Sequence, residues 1–301
     1  MRFGLQLRAD APTTVGADAR RAEELGFDTV LVADHVGSDW SPLQCLAAAA
    51  AATERIHIGT FVLNVGLHHP LMVAREIATL DRLSGGRVEL GLGAGHTPSE
   101  FAAMGTPFLP AAERKVRLAE FVEIVRALLD GDTVDRHTEH FELKGASTGQ
   151  ARPAGRVPIL VGGSGTALLT HAGGHADIVG FTGLGRTLPD GHRHTVRFAP
   201  EVLDAEVAVV RAAARGRRVE LNVLVQVVDV TDGRQAAAER LASSIDGLSV
   251  DDALTTPFLA IGTHDEIAEH LRHAESRWGI GYVVVRDAEG FAPVLESMRG
   301  R

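Results

Sequence analysis

The chain has 301 residues, 45% of them hydrophobic and 23% charged, with 30 Lys and Arg against 39 Asp and Glu and a formal net charge of −9. That balance suits a globular enzyme-sized chain and argues against a nucleic-acid binder, which shows a basic patch on a basic background. Cys45 is the single cysteine, so neither an internal disulfide nor a zinc site of paired cysteines can form. The longest apolar run, CLAAAAAA at 45–52, is far short of the ~20 residues that span a bilayer. MRFGLQLRADAP at the start lacks the apolar stretch of a signal peptide. A soluble, cytoplasmic protein is expected, with no membrane or nucleic-acid partner.

In chain order, RFGLQL (2–7) reads as a strand and ADARRAEELGF (17–27) as an amphipathic helix stopped by Gly26. DTVLVADH (28–35) is a second strand. SPLQCLAAAAAATE follows as a helix with Ser41 at its N-cap and Pro42 in its first turn. RIHIGTFVL (55–63) is the third strand, and LMVAREIATLDRLSGG (71–86) a helix closed by two glycines. RVELGLGAG (87–95) is the fourth strand, and residues 111–132 form the longest helix. A polar stretch then reads as a hairpin and loop. VPILVGG (157–163), ADIVGF (176–181), VELNVLVQVVDV (219–230) and IGYVVVRD (280–287) complete eight strands. Helices are expected after the fifth strand (TALLTHAGGH), before and after the seventh, and at the C-terminal end. Residues 182–200, rich in Gly, Pro, His and Arg, read as a long loop.

Eight βα units with strands apolar on both faces predict a TIM (β/α)8 barrel with insertions, a single domain over 1–301. An open doubly wound sheet also alternates, but with fewer strands and a ligand fingerprint after the first. In a barrel the active site lies at the carboxyl ends of the strands. The residues there are Gln6 and Arg8, Asp34 and His35, Asn64 with His68 and His69, then Gly93, Ala94, Gly95 and His96. Gly162, Gly163, Ser164 and Gly165 follow, then Phe181 and Thr182, Asp229, and Arg286.

Asp34-His35 is the leading titratable pair, because a strand-end imidazole suits acid–base chemistry. GGSG opening into a helix predicts a phosphate cradle of backbone N–H groups; three glycines and a serine exceed what a βα turn requires. Ser164 lacks the glycine two residues on that a nucleophile elbow needs, since Thr166 stands there. GLGAG (91–95) fails the dinucleotide fingerprint because His96 holds the place of the last glycine. Its glycines are expected to leave room for a flat ring. His171 and His175 stand at i, i+4, a spacing that can pair on a metal. They lack a carboxylate partner motif, and Gly173-Gly174 between them signals a helix end, so no metal is expected. His137 and His140 read as surface hairpin residues, and His192 and His194 as lining a lid.

DTVLVADH, HPLMVAREIATLDRLSGGRVELGLGAG and VPILVGGSGTALLTHAGGHADIVGF resemble the bacterial luciferase-like flavin and deazaflavin oxidoreductases, within them the coenzyme F420-dependent branch. The resemblance is close over 1–181 and looser beyond. It implies a TIM barrel, often dimeric, binding F420, with FMN as the alternative. It implies that His35 sits beside the reactive ring with Asp34 next to it, and that Gly162, Gly163, Ser164 and Gly165 hold the cofactor phosphate. It also implies a cis peptide at Phe61–Val62 behind the ring, with Asn64 as a hydrogen-bond partner and Gly93, Ala94, Gly95, His96 and Phe181 around it. His96 replaces a common Trp. The acidic glutamate of the sugar-phosphate dehydrogenases has no clear match, although Glu100 is near. The expected function is F420-dependent hydride transfer to or from an organic substrate under a mobile 182–200 loop. An FMN-dependent monooxygenase and a non-catalytic cofactor binder are the alternatives.

Overall fold

The computed structural model describes residues 1–7, 13–37, 40–188 and 194–300. Arg8 and His192, singled out above, lie outside them. The elements run β1 (Arg2–Gln6), α1 (Val15–Leu25), β2 (Thr29–Val32), α2 (Pro42–Ala52), β3 (His57–Thr60), β4 (Leu63–Asn64), α3 (Pro70–Ser84), β5 (Val88–Gly93), α4 (Pro98–Ala103) and α5 (Ala111–Asp130). They continue β6 (Val134–His137), β7 (Glu142–Ala146), β8 (Ile159–Gly162), α6 (Thr166–His175), β9 (Ile178–Phe181), β10 (Leu184–Thr187), β11 (His194–Val196) and α7 (Pro200–Ala214). The last are β12 (Glu220–Leu224), β13 (Val227–Val230), α8 (Arg234–Ser244), α9 (Val250–Thr255), β14 (Leu259–Gly262), α10 (His264–Trp278), β15 (Ile280–Val285) and α11 (Ala288–Arg299).

The main sheet runs β3-β2-β1-β15-β12-β9-β8-β5-β4, and the parallel pairing of β3 with β5 (Ile58 opposite Val88) closes it. With β3 and β4 sharing one place, this is an eight-stranded parallel TIM barrel. All its pairings are parallel, so each return must be a crossover, and helices supply it. β2 is buried along its whole length, as is β5. That explains their Val- and Leu-rich runs without alternation. Helices α1 and α3 stop at Gly26 and Gly85, as predicted. Ser41 stands at the α2 N-cap but makes no capping bond from its side chain, and Pro42 occupies the first turn.

Two apolar layers result. Between strands and helices lies the larger core. Inside the barrel sit Leu31, Phe61, Leu160, Ile178, Leu224, Tyr282 and Val284. At the amino ends of the strands Arg2 donates to Glu89 and, at 2.8 Å, to Glu220, with its guanidinium 3.7 Å above the Tyr282 ring. This ion-paired cluster forms the barrel floor.

The seventh strand departs from expectation. The apolar run 219–230 is longer than a barrel stave. β12 ends at Leu224, where Val225 N–H still donates to Val284. Gln226 N–H then turns to Phe258, and β13 pairs in parallel with β14 outside the barrel. Asp229 is therefore not on the active rim; it faces Arg240 at 3.3 Å. The predicted hairpin after α5 is present as antiparallel β6 and β7. Residues 184–187 and 194–196, expected within a loop, form the antiparallel ribbon β10–β11.

Candidate active site

The bond Phe61–Val62, between β3 and β4, is cis, as the resemblance implied. Its surroundings bear on GLGAG. A Cβ on Gly91 would lie 2.1 Å from the Thr60 carbonyl oxygen, and one on Gly93 2.5 Å from Val62 Cγ2. These glycines make room for the chain's own bulge. Gly95 serves the same end: with φ at +74°, its added Cβ would stand 2.2 Å from Asn64 Oδ1.

Asn64 is 4% exposed, and its amide is committed at both ends inside the protein. Oδ1 accepts from Gly66 N–H at 3.1 Å, and Nδ2 donates to Glu100 Oε2 at 3.1 Å. Glu100, brought in by α4, accepts at its other oxygen from His35 Nδ1, 2.7 Å away. Asp34, also buried, accepts the Asn64 N–H at 3.0 Å and meets His68 Nε2 at 2.7 Å. Thus Asp34 and His35, adjacent in sequence, serve two separate pairs, joined through Asn64. His68 enters the site through Asp34. His69 remains the N-cap of α3, exposed and without a side-chain cap bond.

His96 packs edge-on between His35, at 5.7 Å, and His194 of the ribbon, at 4.8 Å between ring centroids. Lost hydration, with repulsion from His194 and then His35, pushes its pKa down to about 4. Arg286 donates to Gln6 at 2.9 Å and to Gln226 at 3.2 Å across the mouth. Ala94 is half-buried against the outer core. Phe181 is only 1% exposed and belongs to that same outer core, so its ring has no face at the mouth.

At the strand β8 end, Gly162, Gly163, Ser164 and Gly165 lead into α6 with Gly165 as N-cap at φ +93°. The first-turn N–H groups of α6 have no partner within the helix. Two features went unread in the sequence. Lys115 of α5 donates to the Ser164 carbonyl at 2.8 Å. Glu206 of α7 accepts the Gly165 N–H, and burial raises its pKa although Arg197 pairs with it at 2.7 Å. A cation and a carboxylate thus converge on the loop. Lys115 hid in the charged face of a long helix, and Glu206 stands 41 positions beyond Gly165, a separation at which sequence spacing shows no contact. Residues 189–193 of the expected lid lie outside the described residues.

The luciferase-like monooxygenase family model matches residues 2–280. F420-dependent glucose-6-phosphate dehydrogenase of Beutenbergia cavernae is 37% identical over 199 residues, 62% of this chain and 59% of that protein. 4-Hydroxyprotoasukamycin monooxygenase of Streptomyces nodosus subsp. asukaensis is 38% identical over 146 residues, 46% of this chain and 38% of that protein. The matched stretches thus span less than two thirds of these relatives. In the solved structures, coenzyme F420 dependent tetrahydromethanopterin reductase of Methanopyrus kandleri superposes with a TM-score of 0.75 at 22% identity, covering 98% of this chain and 96% of that one. An F420-dependent secondary alcohol dehydrogenase does so with a TM-score of 0.78 at 20% identity, over 98% and 96%. At these identities the structural likeness is one of fold, while the family match covers nearly the whole chain. The chain belongs to the luciferase-like monooxygenase family.

Proposed function

We propose that this chain is an F420-dependent oxidoreductase acting on a small organic molecule at the carboxyl end of its barrel. The observation that carries the reading is the pairing of two devices on one rim. One is the acid–base unit His35–Glu100; the other is a glycine-rich helix start with Lys115 beside it. The loop fits an anionic cofactor: Gly165 sits at φ +93°, a conformation that favours glycine, and Lys115 Nζ stands beside it at the Ser164 carbonyl. The Ser164 N–H and the α6 N-terminus would hold the phosphate, while Gly163 and Gly165, whose N–H groups donate to Gly180 and Glu206, shape the turn. When bound, F420 supplies a hydride donor or acceptor at its ring carbon.

The chain's own residues orient the reactants and handle the proton. Glu100 accepts from His35 Nδ1, which sets the tautomer and assigns proton exchange to Nε2. Asn64 holds the second Glu100 oxygen, and Asp34 anchors His68 and the backbone of Asn64. Phe61 and Val62 form the apolar backing of the site. The β10–β11 ribbon, with His194 against His96, covers the substrate and sets its identity. We infer a homodimer acting in the cytoplasm; among the described residues no helix is long and apolar enough to cross a membrane.

A second reading, FMN-dependent monooxygenation with a separate reductase, is favoured by the relative named a monooxygenase. Titrating purified apoprotein with F420 and with FMN separately decides. F420 binding is the expected result; tight FMN binding with none for F420 overturns the first reading.

A further inference from the structure

On the outer wall of the barrel, away from the rim, α5 and α6 bring Glu123, His171 and His175 together. The carboxylate missing from the sequence around the two histidines arrives from 48 residues earlier. Helix α6 runs unbroken through Gly173 and Gly174 to His175, so the i, i+4 histidines share a face. Their rings stack at 4.2 Å and 12°. We propose that Glu123, His171 and His175 form a binding site for a divalent transition-metal ion of the zinc, cobalt or nickel class.

Four features of the geometry point this way. One donor atom from each residue lies within 4.8 Å of the other two. His171 Nε2 and Glu123 Oε1 are 3.2 Å apart, and two donors on a tetrahedral zinc with bonds of about 2.0–2.1 Å stand about 3.4 Å apart. His175 Nδ1 donates to the His171 carbonyl at 3.0 Å, which places the lone pair on Nε2, the arrangement of a ligating imidazole. Arg136 holds the other oxygen of Glu123, so the carboxylate is oriented and presents Oε1 alone.

Two imidazoles and a carboxylate select a borderline ion over Mg²⁺ or Ca²⁺, which take oxygen ligands. Glu123 also lines a cleft of about 360 Å³ between α5 and the β6 region. One term opposes binding. Ligation through Nε2 moves the His171 proton to Nδ1, a buried atom without a partner among the described residues.

The test is Co²⁺ titration of the full, tag-free chain, followed by visible absorption and calorimetry, with Zn²⁺ as competitor. The expected result is one Co²⁺ per chain, displaced by Zn²⁺. Zn²⁺ at a hundred times its Kd should raise Tm by about 4 °C. His175→Ala, at an exposed position, and Glu123→Gln, which keeps the side-chain shape, should each weaken binding at least tenfold. No stoichiometric uptake, or equal uptake by the wild type and both variants, overturns the proposal.

Discussion

Gly95→Ala probes the link between the glycine loop and the acid–base unit. At φ +74° an alanine costs about 1–2 kcal/mol in backbone conformation. Its Cβ would also lie 2.2 Å from Asn64 Oδ1 and 2.7 Å from Nδ2, so the amide must leave its place. That loses the Gly66 bond, about 1 kcal/mol, and the bond to the Glu100 carboxylate, about 1.5–3 kcal/mol. The expected loss of stability is about 3.5–6 kcal/mol, read as a fall of about 1–2 M in the urea midpoint. Asn64→Ala already forfeits both bonds and opens the space. Adding Gly95→Ala to it should therefore cost only the backbone part. The double-mutant cycle should show about 2.5–4 kcal/mol of coupling. Additive costs, within about 0.5 kcal/mol, would refute the claim that Gly95 exists to seat Asn64.

His35→Ala should lower turnover by roughly 10²–10⁴-fold while cofactor affinity, measured by fluorescence quenching, stays within a few fold; unchanged turnover would remove His35 from the chemistry. Glu206→Gln withdraws the carboxylate from the Gly165 N–H and should tighten cofactor binding by roughly 2–5-fold, whereas Lys115→Ala should weaken it; the reverse pattern sinks the phosphate cradle. His96, with its pKa lowered from 6.5 to about 4 in the folded state, contributes stability that is present above pH ~6.5 and fades as pH falls toward 4. His96→Gln should flatten the loss of Tm between pH 7 and pH 4, and an unaltered slope would contradict the shift.

The barrel was legible because its strands, buried on both faces, write continuous apolar runs punctuated by glycine stops such as Gly26 and Gly85. The seventh run was read too long. Nothing local marks the break at Gln226, which is set by a partner, Phe258, from a segment whose helices α8 and α9 are short and poorly periodic. His35 and the GGSG loop were visible because each carries its chemistry in adjacent residues. The packing at Gly93 was not legible, since sequence displays the missing side chain and not the Val62 that fills its place. Glu206 and Glu123 escaped, and Glu100 showed only as a nearby acid, for one reason: each meets its partner across the fold, where no spacing rule applies.

The ion-paired floor of Arg2, Glu89 and Glu220 bears on kinetics. A vessel closed at its base has a single door. For the proposed activity, cofactor and substrate would share that opening, and the expected outcome is an ordered pattern in initial-rate kinetics; a random-order pattern would count against it.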